Sequence, residues 1–190
     1  MAEPARIELI VGGQKSGKSR LAEQRASAWL AAAPDRQALL LATGLPSDAE
    51  MRQRIAQHQR DRAERLPGMR TLEEPYELAA ALRRASAADA LVVVDCLTLW
   101  LTQALLPPPG VKPVADAAAI RADLCATLQG LPGPVVLVGN EIGLGVIPMG
   151  AHVRHFVDEL GLLNQAVAAL AERVTLMVAG CPLQIKGVCA

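Results

Sequence analysis

The fold class that the sequence predicts is α/β, with a mostly parallel central sheet flanked by helices. Three observations predict it: short apolar runs recur along the chain, longer segments of helical period separate them, and glycine or polar residues follow each run. Ligands of such folds bind at the carboxyl edge of the sheet. The expected strands are Ile7–Val11, Ala38–Ala42, Leu91–Val94, Val135–Val138 and Val174–Val178.

Six segments between these strands have helical character. The second of them opens with Ser47 and carries Glu50 three residues later, a pattern that predicts a capping box. The proline-rich stretch Pro107–Pro113 is interpreted as a stiff surface connection, because the α/β rhythm resumes beyond it. The expected helices are Lys18–Ala32, Ser47–Ala63, Pro75–Ala85, Leu97–Leu105, Asp116–Gln129 and Ala151–Glu172.

Length and composition indicate one domain over residues 1–190, since 52% of the 190 residues are apolar and 20% are charged. Nineteen basic residues balance nineteen acidic ones, so no net field attracts nucleic acid or anionic lipid. The apolar segment after the amino terminus is too short for a signal peptide or membrane helix. The four cysteines lack zinc-site or disulfide spacing. We therefore expect a cytoplasmic protein with reduced thiols.

A phosphate-binding loop is indicated by the match to G-x-x-x-x-G-K-[ST] between the first strand and the first helix. Glycines let the backbone approach phosphate oxygens closely, and the helix amino terminus adds positive potential. Lys18 is expected to reach the β- and γ-phosphates, and Ser19 to ligate Mg²⁺. The alternative is a chance match, expected in about one of 150 chains. The loop consists of Gly12, Gly13, Gln14, Lys15, Ser16, Gly17, Lys18 and Ser19.

Asp95 ends the apolar run Leu91–Val94 and is the candidate acidic partner of this loop, with Mg²⁺ coordination or proton acceptance as its role. The alternative is an aspartate that caps or turns the chain. Because a phosphate loop by itself names no reaction, absences narrow the class. The chain has no N-K-x-D or T-K-x-D, which argues against a Ras-like switch, and no basic stripe with aromatics, which argues against a helicase.

His58 lies within a cluster of arginines on the second expected helix. Met51, Ile55, His58 and Arg62 share one stripe at helical spacing, with Arg54 four residues before the histidine. Neighbouring cations favour the neutral imidazole, whose ring nitrogen can attack phosphorus. Spacing alone favours the alternative, a half-buried histidine beside a solvated basic face.

Together with the loop and the histidine helix, later stretches of the chain resemble the bifunctional adenosylcobinamide kinase / adenosylcobinamide-phosphate guanylyltransferase (CobU/CobP) family of cobalamin biosynthesis. The resemblance runs from Ile7 to Lys186 and implies a RecA-like P-loop NTPase fold and a homotrimer. It also implies two reactions: phosphorylation of adenosylcobinamide by ATP or GTP, then transfer of GMP from GTP to give adenosylcobinamide-GDP. The later stretches are Val93–Leu101, Gly139–Pro148, Gly161–Gln165 and Gly180–Lys186.

The resemblance also assigns roles to individual residues. A covalent GMP–histidine intermediate falls on His58, within a match to E-M-x-x-R-I-x-x-H, whereas His152 and His155 lie outside that motif. The loop Gly12–Ser19 would hold the triphosphate. The other nucleotide-contacting positions implied are Thr43, Gly44, Leu45, Gln59, Arg60, Asp61, Arg62, Glu73 and Asp95.

Three features depart from the family pattern. Asp95 stands where the family often has glutamate, Leu162 stands where it often has arginine, and Pro107–Pro113 follows no family pattern. Two other functions remain open at this point. One is a small-molecule kinase with a single activity, and the other is a nucleotide sensor whose loops order on binding.

Overall fold

The computed structural model describes residues 5–111 and 116–187. This part of the chain contains seven strands and six helices. The strands are β1 (Ile7–Gly12), β2 (Gln37–Ala42), β3 (Met69–Glu73), β4 (Ala90–Asp95), β5 (Val135–Val138), β6 (Arg173–Val178) and β7 (Cys181–Lys186). The helices are α1 (Lys18–Ala32), α2 (Ala49–Arg65), α3 (Leu78–Ala85), α4 (Leu97–Leu105), α5 (Ala117–Gly130) and α6 (Ala151–Leu170).

The strands form one sheet in the order β3-β2-β4-β5-β1-β6-β7. Strands β1 to β6 are parallel, and β7 is antiparallel to β6. Strand β5 lies between β1 and β4, because Val138 pairs with Ile10 on one side and with Asp95 on the other. The expected α/β class with a mostly parallel sheet is thus confirmed. This order brings the phosphate loop, Asp95 and the segment after β5 to one edge.

The core has two layers, one on each face of the sheet. Helices α3 to α6 cover one face, where Leu97, Leu124 and Leu160 pack in the same cluster as strand residues. Helix α1 covers the other face, with Leu21 and Ala26 in the second cluster. Burying one leucine side chain stabilises the fold by about 1.5–3 kcal/mol. Helix α2 contributes no buried residue, so its side chains remain available at the carboxyl edge.

All five expected strands and all six expected helices occur, with ends within three residues of the expected ones. Helix α3 begins at Leu78 rather than Pro75, because the Glu74 carboxylate accepts hydrogen bonds from the amides of Tyr76 and Glu77 and holds a turn there. Strands β3 and β7 were not expected. They lie at the two edges of the sheet and are mostly exposed, so neither shows the apolar run of a buried strand.

The expected capping box is wrong, because Asp48 and not Ser47 caps helix α2. The Asp48 carboxylate accepts a hydrogen bond of 2.7 Å from the Met51 amide, and the Ser47 hydroxyl instead donates to that carboxylate. The Met51 amide lowers the pKa of Asp48 below its ordinary value. The cap therefore stabilises the helix above the pKa of the unfolded state, and this contribution is lost as pH falls through the folded pKa.

We expect Asp48→Ala to reduce protection of the Met51 amide against hydrogen exchange near pH 7, since the amide loses its acceptor. Ser47→Ala is the matched control and should leave that protection unchanged, because the Ser47 hydroxyl donates to the Asp48 carboxylate and does not accept from the Met51 amide. Protection factors measured by NMR test both variants. Loss of protection in Ser47→Ala alone would show that Ser47, and not Asp48, caps the helix.

Three sequence expectations extend beyond the described residues: those on the amino terminus, on the stretch Pro107–Pro113 and on the four cysteines, of which Cys189 is not described. Of the cysteines that the structure describes, Cys96, Cys125 and Cys181 are free thiols. Within residues 5–111 and 116–187, no helix combines the length and the apolar character needed to cross a membrane.

Candidate active site

The phosphate loop connects β1 to α1 and depends on two glycines. Gly12 has a φ of 153°, and a Cβ there would lie 2.4 Å from the Met177 carbonyl oxygen. Gly17 precedes the helix with a φ of 101°, and Lys15 has a φ of 54°. Residues in the left-handed region let successive amides turn toward a common centre, which makes an anion-binding concavity. The loop therefore has the backbone that its sequence motif predicts.

Lys18 lies buried at this loop, with 7% of its surface exposed, and its Nζ donates a hydrogen bond of 2.7 Å to the Gly13 carbonyl. Burial lowers the pKa of the Lys18 amine from its ordinary value, an effect that Cys96 and Asp95 oppose. The amine is held at the loop with few partners. A phosphate oxygen bound there would supply the negative charge that the surroundings give only in part.

Ser19 and Asp95 meet at the same edge, where the Ser19 hydroxyl donates to the Asp95 carboxylate at 2.7 Å. Two neighbouring side-chain oxygens suit Mg²⁺, which is held by one or two protein oxygens together with phosphate and water. The described residues contain no group of three or more His, Cys, Asp or Glu placed to hold a metal. The donor set therefore fits a magnesium ion that a bound nucleotide completes.

A cleft of about 730 Å³ extends from the loop to helix α2. Its volume suits a nucleotide, because ligand sites commonly measure about 300–1,000 Å³. Five Lys or Arg residues and three Asp or Glu residues line it, a local excess of two positive charges in a chain of zero net charge. The cleft is therefore suited to anions. The charged lining residues are Lys15, Lys18, Arg20, Arg54, Arg65, Glu50, Asp61 and Asp95.

A second pocket of about 110 Å³ adjoins the cleft, and His58 borders both cavities. The expected stripe is confirmed in its geometry, since Met51, Ile55, His58 and Arg62 all line this pocket. The imidazole is exposed rather than half-buried. It is thus open to a ligand from either side, with Arg54 also on the shared wall.

Thr43 is fully buried and forms hydrogen bonds with the backbone of Asp95 and Cys96. Its hydroxyl donates to the Cys96 carbonyl at 2.7 Å and accepts from the Cys96 amide at 2.8 Å, and its own amide donates to the Asp95 carbonyl. The peptide bond between Asp95 and Cys96 is cis. The structure therefore places the Thr43 side chain behind the site, where it orders the segment that carries Asp95.

We expect Thr43→Val to destabilise the fold by about 1–3 kcal/mol, since the buried amide and carbonyl of Cys96 lose their partner. Thr43→Ser keeps the hydroxyl and should retain most of that stability. Urea unfolding of both variants tests the difference. Unchanged stability in Thr43→Val together with a loss in Thr43→Ser would show that packing of the methyl group, not the hydroxyl, matters.

The remaining expected site residues divide between the two cavities and the outside. Those that line the cleft are Gln14, Lys15, Ser16, Gly17 and Asp61, and those that line the second pocket are Gly44, Gln59, Arg62 and Glu73. Gln59 donates to the Glu73 carboxylate at 3.3 Å, which joins α2 to the end of β3. Arg60 donates to Gln57 instead, and it lines neither cavity. The others that line neither are Gly12, Gly13, Thr43 and Leu45.

Sequence reasoning missed several side chains that line the cleft. Gln53, Gln57 and Arg65 lie on α2 at three- or four-residue spacing from Glu50 and Asp61, so helical periodicity could have found them. The others are Arg20 and Asn140. Asn140 belongs to the stretch Gly139–Pro148 that carries the family resemblance, but only the strand order shows that it reaches the cleft.

Cys96 also lines both cavities but is a poor nucleophile. Burial, with Asp95 nearby, raises the pKa of its thiol to about 11. The thiol therefore stays protonated near neutral pH, and the thiolate is the reactive form. His152 and His155, which lie outside the histidine motif, are exposed on α6 and line neither cavity.

Comparisons with known proteins identify the family of the chain. The chain matches the family model for cobinamide kinase / cobinamide phosphate guanyltransferase (CobU) over residues 8–185. It is 47% identical over 180 residues to the bifunctional adenosylcobalamin biosynthesis protein CobP of Pseudomonas aeruginosa, covering 95% of this chain and 97% of the relative. It is 35% identical over 187 residues to the CobU protein of Escherichia coli of the same description, covering 94% and 98%.

A solved structure supports the fold alone. The flagellar accessory protein FlaH from Methanocaldococcus jannaschii aligns with a TM-score of 0.52 at 10% identity, covering 96% of this chain and 78% of that one. The expected RecA-like P-loop fold and the resemblance carried by the sequence motifs are both confirmed. The chain therefore belongs to the cobinamide kinase / cobinamide phosphate guanyltransferase family, whose members are P-loop transferases of cobalamin biosynthesis.

Proposed function

We propose that this protein phosphorylates adenosylcobinamide with ATP or GTP, and then transfers GMP from GTP through His58 to form adenosylcobinamide-GDP. The observation that carries the proposal is the position of His58, whose exposed imidazole borders both the phosphate-loop cleft and the adjoining pocket. A nucleotide with its phosphates at the loop would lie beside this imidazole. A kinase with a single activity would have no use for a nucleophile there.

In the kinase step, the aminopropanol hydroxyl of adenosylcobinamide attacks the γ-phosphorus, and the nucleoside diphosphate leaves. The loop amides and Lys18 orient the triphosphate and offset the charge that builds on the leaving oxygens. Ser19 and Asp95 would hold Mg²⁺. When bound, the ion would neutralise charge on the β- and γ-oxygens. The bond from Ser19 to Asp95 supports metal coordination as the role of that carboxylate.

In the guanylyl step, a ring nitrogen of His58 attacks the α-phosphorus of GTP and pyrophosphate leaves. A phosphate oxygen of adenosylcobinamide phosphate then attacks the same phosphorus and releases the imidazole, so two displacements replace one. Arg54 and Arg62 line the same pocket as the ring. When the side-chain amide of Gln14 is oriented with its oxygen toward Arg54, that oxygen accepts hydrogen bonds of 2.9 and 3.1 Å from the Arg54 guanidinium. These cations would stabilise the charge on the α-phosphate.

We assign the other nucleotide contacts to the second pocket, where Gln59, Arg62 and Glu73 line a largely apolar recess.

The proposal also includes the oligomeric state and the location of the protein, a homotrimer in the cytoplasm. Exposed apolar side chains in the loop after β5 support a subunit interface, since contiguous exposed apolar groups are typical of such surfaces. They are Leu144, Val146, Ile147 and Met149. Analytical ultracentrifugation tests the trimer.

The test is incubation with adenosylcobinamide, GTP and Mg²⁺, followed by mass analysis of the products. We expect adenosylcobinamide phosphate first and adenosylcobinamide-GDP after it. With ATP as the nucleotide the reaction should stop at the phosphate, because no GMP is available. A single-activity kinase would stop there with GTP as well. Tight nucleotide binding without either product would instead indicate a sensor.

A further inference from the structure

Asn140 lies between the end of the strand that leads into the phosphate loop and the end of the strand that carries Asp95. Strand β5 separates β1, which leads into the phosphate loop, from β4, which ends at Asp95. Val138, the last residue of β5, pairs with Ile10 and with Asp95. Asn140 follows two residues later and lines the same cleft as Lys18, Ser19 and Asp95. The asparagine thus emerges between the loop and the acidic residue.

The backbone around Asn140 is held by several neighbouring segments. The Asn140 amide donates to the Thr98 hydroxyl on α4 at 2.8 Å, and its carbonyl accepts from the Asn164 side chain on α6 at 3.1 Å. The amide of the next residue donates to the Gly12 carbonyl at 3.1 Å. Thr98 and Asn164 are both buried, with 8% and 7% exposed. Two buried polar side chains therefore fix one backbone position.

The side chain of Asn140 is left without such a partner. Among residues 5–111 and 116–187, none forms a hydrogen bond with its carboxamide, and the residue is half-buried at the cleft. A carboxamide NH₂ is a neutral donor of two hydrogen bonds. Rigid backbone support and a free donor on a residue that lines an anion cleft are typical of a residue that positions or stabilises a reacting group.

The terminal phosphoryl group is the part of the nucleotide that this position suits. A P-loop lysine reaches the β- and γ-phosphates, and the metal between them is held by the serine of the loop and the acid after the strand. Ser19 and Asp95 mark that end of the cleft, and Asn140 borders it from the neighbouring strand. The α- and β-phosphates have donors in the loop itself.

We propose that Asn140 is a further catalytic residue, whose carboxamide donates a hydrogen bond to the terminal phosphoryl group of the bound triphosphate. Thr98 and Asn164 are positioning residues that act through the Asn140 backbone. This assignment rests on the proposed function, because it requires a triphosphate at the loop. It also explains why polar residues separated along the sequence, in the stretches after β4, after β5 and within α6, meet at one point.

The test compares the affinity of Asn140→Ala for a non-hydrolysable GTP analogue and for GDP, both with Mg²⁺, by isothermal titration calorimetry. A lost hydrogen bond to a charged oxygen should weaken binding of the analogue about tenfold, while GDP affinity stays within about twofold. Asn140→Asp should weaken the analogue further, since its carboxylate repels the phosphoryl oxygens. The matched control is Gln129→Ala, which removes an exposed carboxamide at the end of α5, outside the cleft.

Equal loss for the analogue and GDP, or no loss for either, would overturn the role of Asn140 while leaving nucleotide binding intact. A wild-type protein that binds neither nucleotide would overturn the proposed function, and the assignment with it. The two failures are therefore distinguishable.

A second measurement separates positioning from general stability. Thr98→Val removes the acceptor of the Asn140 amide and should shift the same ratio of analogue to GDP affinity, with little further shift in the Asn140→Ala background. Thr98→Ser keeps the hydroxyl and should restore the ratio. A merely structural threonine would lower the melting temperature without changing the ratio, and that result would overturn its positioning role.

Discussion

Replacing His58 by alanine is expected to abolish covalent labelling of the protein by GTP that carries a radiolabel in its α-phosphate. The imidazole is the nucleophile in the proposed guanylyl step and borders both cavities. Loss of a nucleophile lowers turnover steeply, so guanylyl transfer should fall by about 10³-fold or more. The label on the wild-type protein should be acid-labile and alkali-stable, as a phosphorus–nitrogen bond is.

The kinase step should survive in His58→Ala, because the loop, Lys18 and Asp95 remain in place. Product analysis with ATP and adenosylcobinamide measures it separately from labelling. His155→Ala is the matched control, since His155 is exposed on α6 and lines neither cavity. Undiminished label in His58→Ala would remove this histidine from the mechanism and would favour a different nucleophile.

Replacing Lys18 by methionine is expected to depress both reactions by about 100-fold or more, since the amine would no longer stabilise charge on the phosphates. Methionine keeps a straight apolar chain of similar length, so packing around the stem changes little. Both product assays measure the loss. Normal kinase turnover in Lys18→Met would show that the loop is not the phosphate cradle.

The same variant should fold at least as stably as the wild type, which separates a chemical defect from unfolding. Burial lowers the pKa of Lys18, so the unfolded chain holds that proton more tightly than the folded one. The charged amine therefore opposes folding at neutral pH. In the wild type this penalty should lessen as pH rises through the folded pKa toward the ordinary lysine range, and Lys18→Met should lack that gain. Thermal melts across alkaline pH test both points.

Local sequence patterns determined the α/β class, the buried strands and the phosphate loop. Strands such as β4 and β5 are buried on both faces and therefore appear in the sequence as continuous apolar runs. The phosphate loop needs positive φ angles, and the glycines that adopt them are part of its sequence motif. The edge strands β3 and β7 were not predicted, because an exposed edge strand needs no regular pattern of apolar residues. The cap of α2 was misassigned to Ser47, since adjacent serine and aspartate are both good caps.

Tertiary structure alone decided which of these residues meet. The order of strands differs from their order along the chain, so β5 enters between β1 and β4 and delivers Asn140 to the cleft. The same packing turns Thr43 into a support for the backbone at Asp95, and it sets His58 on the wall between two cavities. The physical reason is that local propensities act over a few residues, whereas a site at a sheet edge is assembled by long-range pairing and burial.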